Sequence, residues 1–362
     1  MPGLAAAGRT DRAAAAERPG QRVRVRREQL HDGVRGRVAV TVRVVVAESV
    51  VHGAGLVLPP EGTGPAESWF DHRARLGRGY KYLPPACQYL LAAARTALED
   101  SGPEADPLAA APELRGAVVG TNSAVAALHA AVDETVRREG AAALSPMSVP
   151  YFAVNLVAGR LSTEHLLKGF NLTVTSPRVA GVEALHLAAL ELAAGRAAVT
   201  LAGAAEAPDP RAADAEPEAG AALFVLRPGG GPVPAGGRVL RTVLRFVPPP
   251  ALAAAEGRRL ARDSVRQALD ALRAGGPAPD EVELLADPSP VGDAVADALR
   301  SWCADRAPVS TRWSGARAGA LAPVVRLAAR PLAAGTGSRL VVTASRAGNI
   351  ALATAHTPEH TD

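Results

Sequence analysis

Hydrophobic and polar positions follow two rhythms along this chain. Compact runs dense in Val, Leu, Ile, Ala and Thr cover residues 38–46, 116–120, 172–175, 198–203 and 221–226, and later 238–247, 282–286, 309–311, 339–344 and 350–355. Runs of this length predict strands, and the densest, such as 38–46, suit strands buried on both faces. Between them, apolar residues three or four apart predict helices over 84–100, 124–139, 150–162, 179–194, 255–274, 291–304 and 316–329. Pro84-Pro85 suits the start of the first helix and Ser101-Gly102-Pro103 its stop. Strands alternating with helices predict mixed sheets covered by helices.

The Gly- and Pro-rich stretch 228–237 divides this pattern. The expected organisation is an N-terminal half over 37–229, a C-terminal half over 236–356 that restates the theme, and a tail over 357–362. Identity between the halves is too weak to establish a repeat from sequence. Residues 1–36 are rich in Ala, Arg and Gly without periodicity, which predicts a disordered basic arm.

Composition removes several classes. Hydrophobic residues make up 48% of 362, ample for a core. No apolar run reaches the ~18–20 residues of a membrane span, and no secretory h-region opens the chain. A cytoplasmic protein without a membrane partner is expected. The net charge of +4 looks basic, but nine arginines against four acids lie in the first 37 residues. The remainder is near neutral, and with 3% aromatics it predicts no nucleic-acid partner. Two cysteines, Cys87 and Cys303, make neither a disulfide framework nor a cysteine-rich zinc site. No metal or other cofactor is expected.

The specific residues lie in the middle of the chain. Met147-Ser148-Val149-Pro150-Tyr151-Phe152-Ala153-Val154-Asn155 is followed by Ala158-Gly159-Arg160-Leu161-Ser162, then by Lys168-Gly169-Phe170-Asn171-Leu172-Thr173-Val174-Thr175. Ala202-Gly203-Ala204-Ala205-Glu206 and Ala347-Gly348-Asn349 come later. In this order the segments resemble the β-ketoacyl synthase family. The resemblance implies a thiolase-like α/β/α/β/α fold, five layers built from two related halves.

It also implies where chemistry ought to stand, and this chain departs there. The family carries a nucleophilic cysteine at the elbow between strand and helix; here the elbow reads Thr175-Ser176-Pro177-Arg178-Val179-Ala180-Gly181, with Arg178 in that place. A guanidinium forms no thioester, and at a helix N-terminus it needs a carboxylate, solvent or a partner to face. The family's two C-terminal histidines are missing as well, since no histidine lies between His186 and His356. Asp287 stands near the first position and Ala316 near the second. No catalytic residue is therefore expected.

Such losses are similar to those of the chain-length factors, ketosynthase-like subunits of type II polyketide synthases that pair with an active ketosynthase. That branch implies a heterodimer served by an acyl carrier protein and a tunnel that sets chain length. Ala124, Ala126, Ala127, Met147, Tyr151 and Phe152 are the expected tunnel residues, small ones among them suiting a long polyene-type chain. Asn171, Thr173 and Thr175 are the expected interface residues. Two alternatives stand beside it: an acyltransferase or esterase step through Ser176, and a scaffold that only stabilises a ketosynthase. Cys87, Cys303, His129, His165 and His186 are read as packing or surface residues.

Overall fold

The computed structural model describes residues 44–62, 69–102, 107–212, 218–304, 310–314, 319–329 and 337–358. The predicted arm over 1–36 and Ala316 lie outside them. The first half runs β1 (Ala47–Val57), α1 (His72–Leu76), α2 (Pro85–Asp100), β2 (Arg115–Gly120), α3 (Ala126–Glu139), α4 (Leu156–His165), β3 (Asn171–Val174), α5 (Ala180–Ala193), β4 (Val199–Glu206) and β5 (Gly220–Pro228). The second half runs β6 (Arg238–Phe246), α6 (Ala255–Arg273), β7 (Glu281–Ala286), α7 (Pro290–Ala304), β8 (Ser310–Ser314), α8 (Leu321–Ala328), β9 (Arg339–Ala344) and β10 (Asn349–His356).

Strand order makes the duplication visible. The ten strands are ordered β3-β2-β4-β5-β1-β6-β10-β9-β7-β8. Outward from the centre, each half reads first, fifth, fourth, second, third strand. Directions match too: the fifth strand is antiparallel to the first and fourth, and the remaining pairs are parallel. β1 and β6 pair antiparallel where the halves meet. The repeat that the sequence hides is a repeat of topology.

Three hydrophobic clusters define the layers. In the first, Leu90 and Leu91 of α2 and Leu161 of α4 pack with Val119 and Leu223 on one side of the first half's strands. In the third, Val265 and Leu269 of α6 and Leu299 and Trp302 of α7 cover Leu284, Val342 and Leu352 of the second half. Between them, Val182 and Leu185 of α5 and Val324 and Leu327 of α8 share a core with strands of both halves, including Phe224, Val341 and Ala351. Outer helices, sheet, central helices, sheet and outer helices are the five layers of a thiolase-like fold. α5 tolerates apolar residues nearly all round because both its faces are buried.

Two sequence expectations move. Of the strand expected over 38–46, residues 38–43 lie outside the described residues and 44–46 are not strand; the first strand among the described residues is Ala47–Val57. Gly53 and Gly55 made this stretch read as loop, yet they are strand positions where α2 comes close. A Cβ on Gly53 would overlap the Ala97 carbonyl, and one on Gly55 the Ala93 carbonyl. The helix expected over 150–162 is instead a 3-10 turn at Pro146–Tyr151 followed by α4. Among the described residues, no helix is long and apolar enough to cross a membrane.

Candidate functional site

Parallel strands bring their C-terminal ends to one edge, and the loops that leave those ends meet there. Thr121-Asn122-Ser123 follows β2, Thr175 to Arg178 follows β3, and Glu206 closes β4. From the second half come Asp287 after β7 and Arg346-Ala347 after β9. All of these but Thr121 and Ser176 line a cleft of about 570 Å³, together with Asp209, Ala212, Glu218 and Gly319.

Arg178 and Asp287 hold the floor of this cleft together. Arg178 is left-handed, with φ of 65°, the conformation of a sharp strand-to-helix elbow and a strained one for a residue with a Cβ. Its N–H donates to Asn122 Oδ1 at 3.1 Å, and the Asn122 Nδ2 donates to the Thr175 carbonyl at 3.2 Å. Its Nε lies 2.9 Å from Asp287 Oδ1, with 24% of the arginine side chain and 5% of the aspartate side chain exposed. Asp287 Oδ2 accepts from the Arg346 N–H at 2.9 Å, which ties the turn between β9 and β10 to the same carboxylate. Arg178, expected to face a carboxylate, solvent or a partner, faces the Asp287 carboxylate.

Two buried glutamates sit beside this pair. Glu206 accepts from the Asn122 N–H at 2.6 Å, the Ser123 N–H at 2.7 Å and the Thr121 hydroxyl at 3.0 Å. Burial raises its pKa while those hydrogen bonds pull it down. Glu218 accepts from the Leu321 and Ala322 N–H groups at 3.1 and 2.9 Å, so it caps the start of α8. Burial, with the Glu206 charge second, pushes it up to about 7.

Among the described residues no histidine and no cysteine lines the cleft, and neither does Ser176. Burial pushes the Cys87 thiol up to about 12, which leaves it unreactive. His186 sits in the central layer with Nδ1 3.0 Å from Thr242 Oγ1, and burial lowers its pKa. The cleft thus offers cations, carboxylates, backbone amides and one serine hydroxyl among the described residues, Ser123, whose Oγ donates to Glu206 Oε2 and to the Ala207 carbonyl, each at 2.7 Å.

The expected tunnel residues lie off this cleft. Ala124 is buried, Ala126 half-buried, and Ala127 exposed on α3, a helix with no buried residue. Tyr151 packs against the outer core. Phe152 is 49% exposed and tilts against His129, ring centroids 4.4 Å apart. Met147 belongs to the 3-10 turn before them. Asn171 and Thr173 lie on β3, the terminal strand of the order, while Thr175 turns into the cleft. Sequence reading passed over Asn122, Glu218 and Arg346. Nothing in a lone Glu inside a polar loop marks it as a helix cap 103 residues away.

Comparison with known proteins joins this geometry to a family. The family model for the β-ketoacyl synthase N-terminal domain matches residues 70–219. Over that stretch the chain is similar to the β-ketoacyl synthase family. It is similar to a 3-oxoacyl-[acyl-carrier-protein] synthase 2 of Rhizobium meliloti, 32% identical over 152 residues, 41% of this chain. The aligned stretch spans about a third of that relative, 34%. The remaining length joins the ketosynthases through the fold. A type II polyketide synthase acyl carrier protein in complex with its ketosynthase bound to a hexaketide aligns with TM-score 0.65 at 15% identity, covering 87% of this chain and 100% of the other. The ishigamide ketosynthase/chain length factor aligns with TM-score 0.60 at 21% identity, over 87% and 99%. A Streptomyces albus oxazolomycin ketosynthase domain gives 0.57 at 17%, over 87% and 96%.

Proposed function

We propose that this ketosynthase-like chain is a non-catalytic, chain-length-factor-like subunit of a type II polyketide synthase. The observation that carries the reading is the ion pair of Arg178 with Asp287, which stands where the family keeps its nucleophile and a histidine. In this reading an active ketosynthase supplies the thiol and both histidines, and an acyl carrier protein delivers the chain. The likeness of the fold to a ketosynthase/chain length factor supports the subunit role.

The unburied flank of the first half supports pairing. α3 buries no residue, β3 ends the sheet, and Val149, Phe152, Leu166 and Leu172 expose 72, 49, 57 and 38% of their surface nearby in sequence. A partner covering this flank would pair with the β3 edge through Asn171, Thr173 and Thr175. It would also enclose Ala124, Ala126, Ala127, Met147, Tyr151 and Phe152 into the tunnel that measures the chain. Small side chains at the three alanines suit a long, extended product of polyene type.

The test is to co-express this chain with candidate ketosynthases, purify through a tag on this chain alone, and measure native mass and condensation. A 1:1 complex that condenses while this chain alone is inert is expected. A stable homodimer that ignores every candidate overturns the reading. Thioester hydrolysis by this chain alone, abolished by Ser176→Ala, would assign it an acyl-transfer role instead. In an active complex, Ala126→Phe and Ala127→Phe are expected to shorten the product; unchanged length would leave only a stabilising scaffold.

A further inference from the structure

We propose that Arg178 and Asp287 form one latch between the two halves, and that the Asp287 carboxylate would hold a thiol at position 178 unreactive. The inference goes beyond the accessory role and holds whether or not the chain has a ketosynthase partner.

The latch spans the pseudo-two-fold. Arg178 belongs to the elbow of the first half, and Asp287 leaves the second strand of the second half. Asn122, in the loop after the second strand of the first half, grips the same elbow by accepting from the Arg178 N–H. Elbow backbone and elbow side chain are thus each held from a loop that follows a second strand, one from each half. Asp287 in turn is held from three sides. Its N–H donates to the Ala344 carbonyl at 3.1 Å, its carbonyl accepts from Ser289 Oγ at 3.3 Å, and Oδ2 accepts from the Arg346 N–H.

Charge makes the two residues interdependent. Arg178 lies two residues before α5, where the helix dipole opposes a cation. Asp287 is nearly fully buried, where an uncompensated carboxylate is costly. Each is tolerable because of the other. The cleft also holds Glu206, Glu218 and Asp209, so a lone Asp287 would add a further negative charge to an acidic site. Placing cysteine alone at 178 would therefore not recover a reactive thiol. The carboxylate at 287 would face it and disfavour the thiolate.

Two measurements on the full chain test this. The first is thermal unfolding of Arg178→Met, Asp287→Asn and the double variant. Each single substitution is expected to lower Tm by several degrees, and the double variant to lose less than the sum of the two. A single variant that fails to fold while the double variant folds is the same result in stronger form. Additive losses overturn the latch, and so does a double variant that does not fold, because the residues are then needed for more than each other.

The second measurement compares Arg178→Cys with Arg178→Cys/Asp287→Asn by iodoacetamide labelling at neutral pH, read as peptide mass at position 178. The thiolate displaces iodide, so the rate follows the thiolate fraction. Labelling at least ~10-fold faster without the carboxylate is expected, as for a thiol whose pKa falls by about one unit. Equal rates overturn the proposal, since the two side chains would then not face each other.

Discussion

The two central helices start at the same cleft from equivalent places in the two halves, yet their starts carry opposite charge. α8 begins on the carboxyl group of Glu218, which accepts from two of its first free amides. This is the arrangement a helix N-terminus favours. α5 begins just after Arg178, a cation at the positive end of a dipole, in a left-handed conformation. The fold accepts that start because Asp287 of the other half reaches across to it. A shared topology fixes where helices begin, but not what chemistry stands there.

The contrast can be broken most severely from the α5 side. Asp287→Ala removes the counter-charge and leaves the elbow cation beside a helix start; a loss of about 3–5 kcal/mol in urea unfolding is expected. A loss below about 1 kcal/mol would mean that solvent already satisfies Arg178.

On the α8 side the effect depends on pH. Glu218 has its pKa raised to about 7 from an ordinary 4.5, so the folded chain keeps a proton that the unfolded chain has released. Its contribution is present in full below about pH 4.5 and is lost as pH rises through about 7. Stability should fall across that window by at most about 3 kcal/mol, and Glu218→Gln should remove this share of the slope. An unchanged slope in the variant would assign the pH dependence to another group.

The two starts also touch. A Cβ on Gly181 would overlap the Ala320 carbonyl and press on Val324, so Gly181→Ala forces α5 and α8 apart. A cost of about 2 kcal/mol is expected from this overpacking, measured as a lower urea midpoint at unchanged m. The smallest effect belongs to the exposed flank. Ala127→Gln on α3 should change the stability of the isolated chain by less than about 0.5 kcal/mol. A larger loss would mean that α3 is packed within the chain and is not a free face.

Legibility followed burial. Strands β5, β7, β9 and β10 and helices α2, α5 and α6 were readable within a residue or two, because continuous apolar runs or clear 3.6-residue periodicity mark them. β1 was not legible as a strand because Gly53 and Gly55 serve close approach of α2, and glycine without its neighbour reads as a turn. Arg178 and Asp287 were both singled out by the resemblance, which implies a nucleophile near one position and a histidine near the other. That each answers the other's charge was not, since 109 residues and a crossing between halves separate them. Glu218 and Arg346 left no local trace at all.

By itself the sequence determined the alternation of strands and helices and the absence of a cysteine from the segment 175–181, since each is written in short-range spacing and residue type. The tertiary structure alone decided the pairing of Arg178 with Asp287, the capping of α8 by Glu218 and the near contact of Gly181 with α8. Those depend on which strand ends the chain brings to a common edge. A burial pattern announces that a strand is inside, but charge compensation and close approach are properties of pairs, and the pairs exist only once both halves have folded against each other.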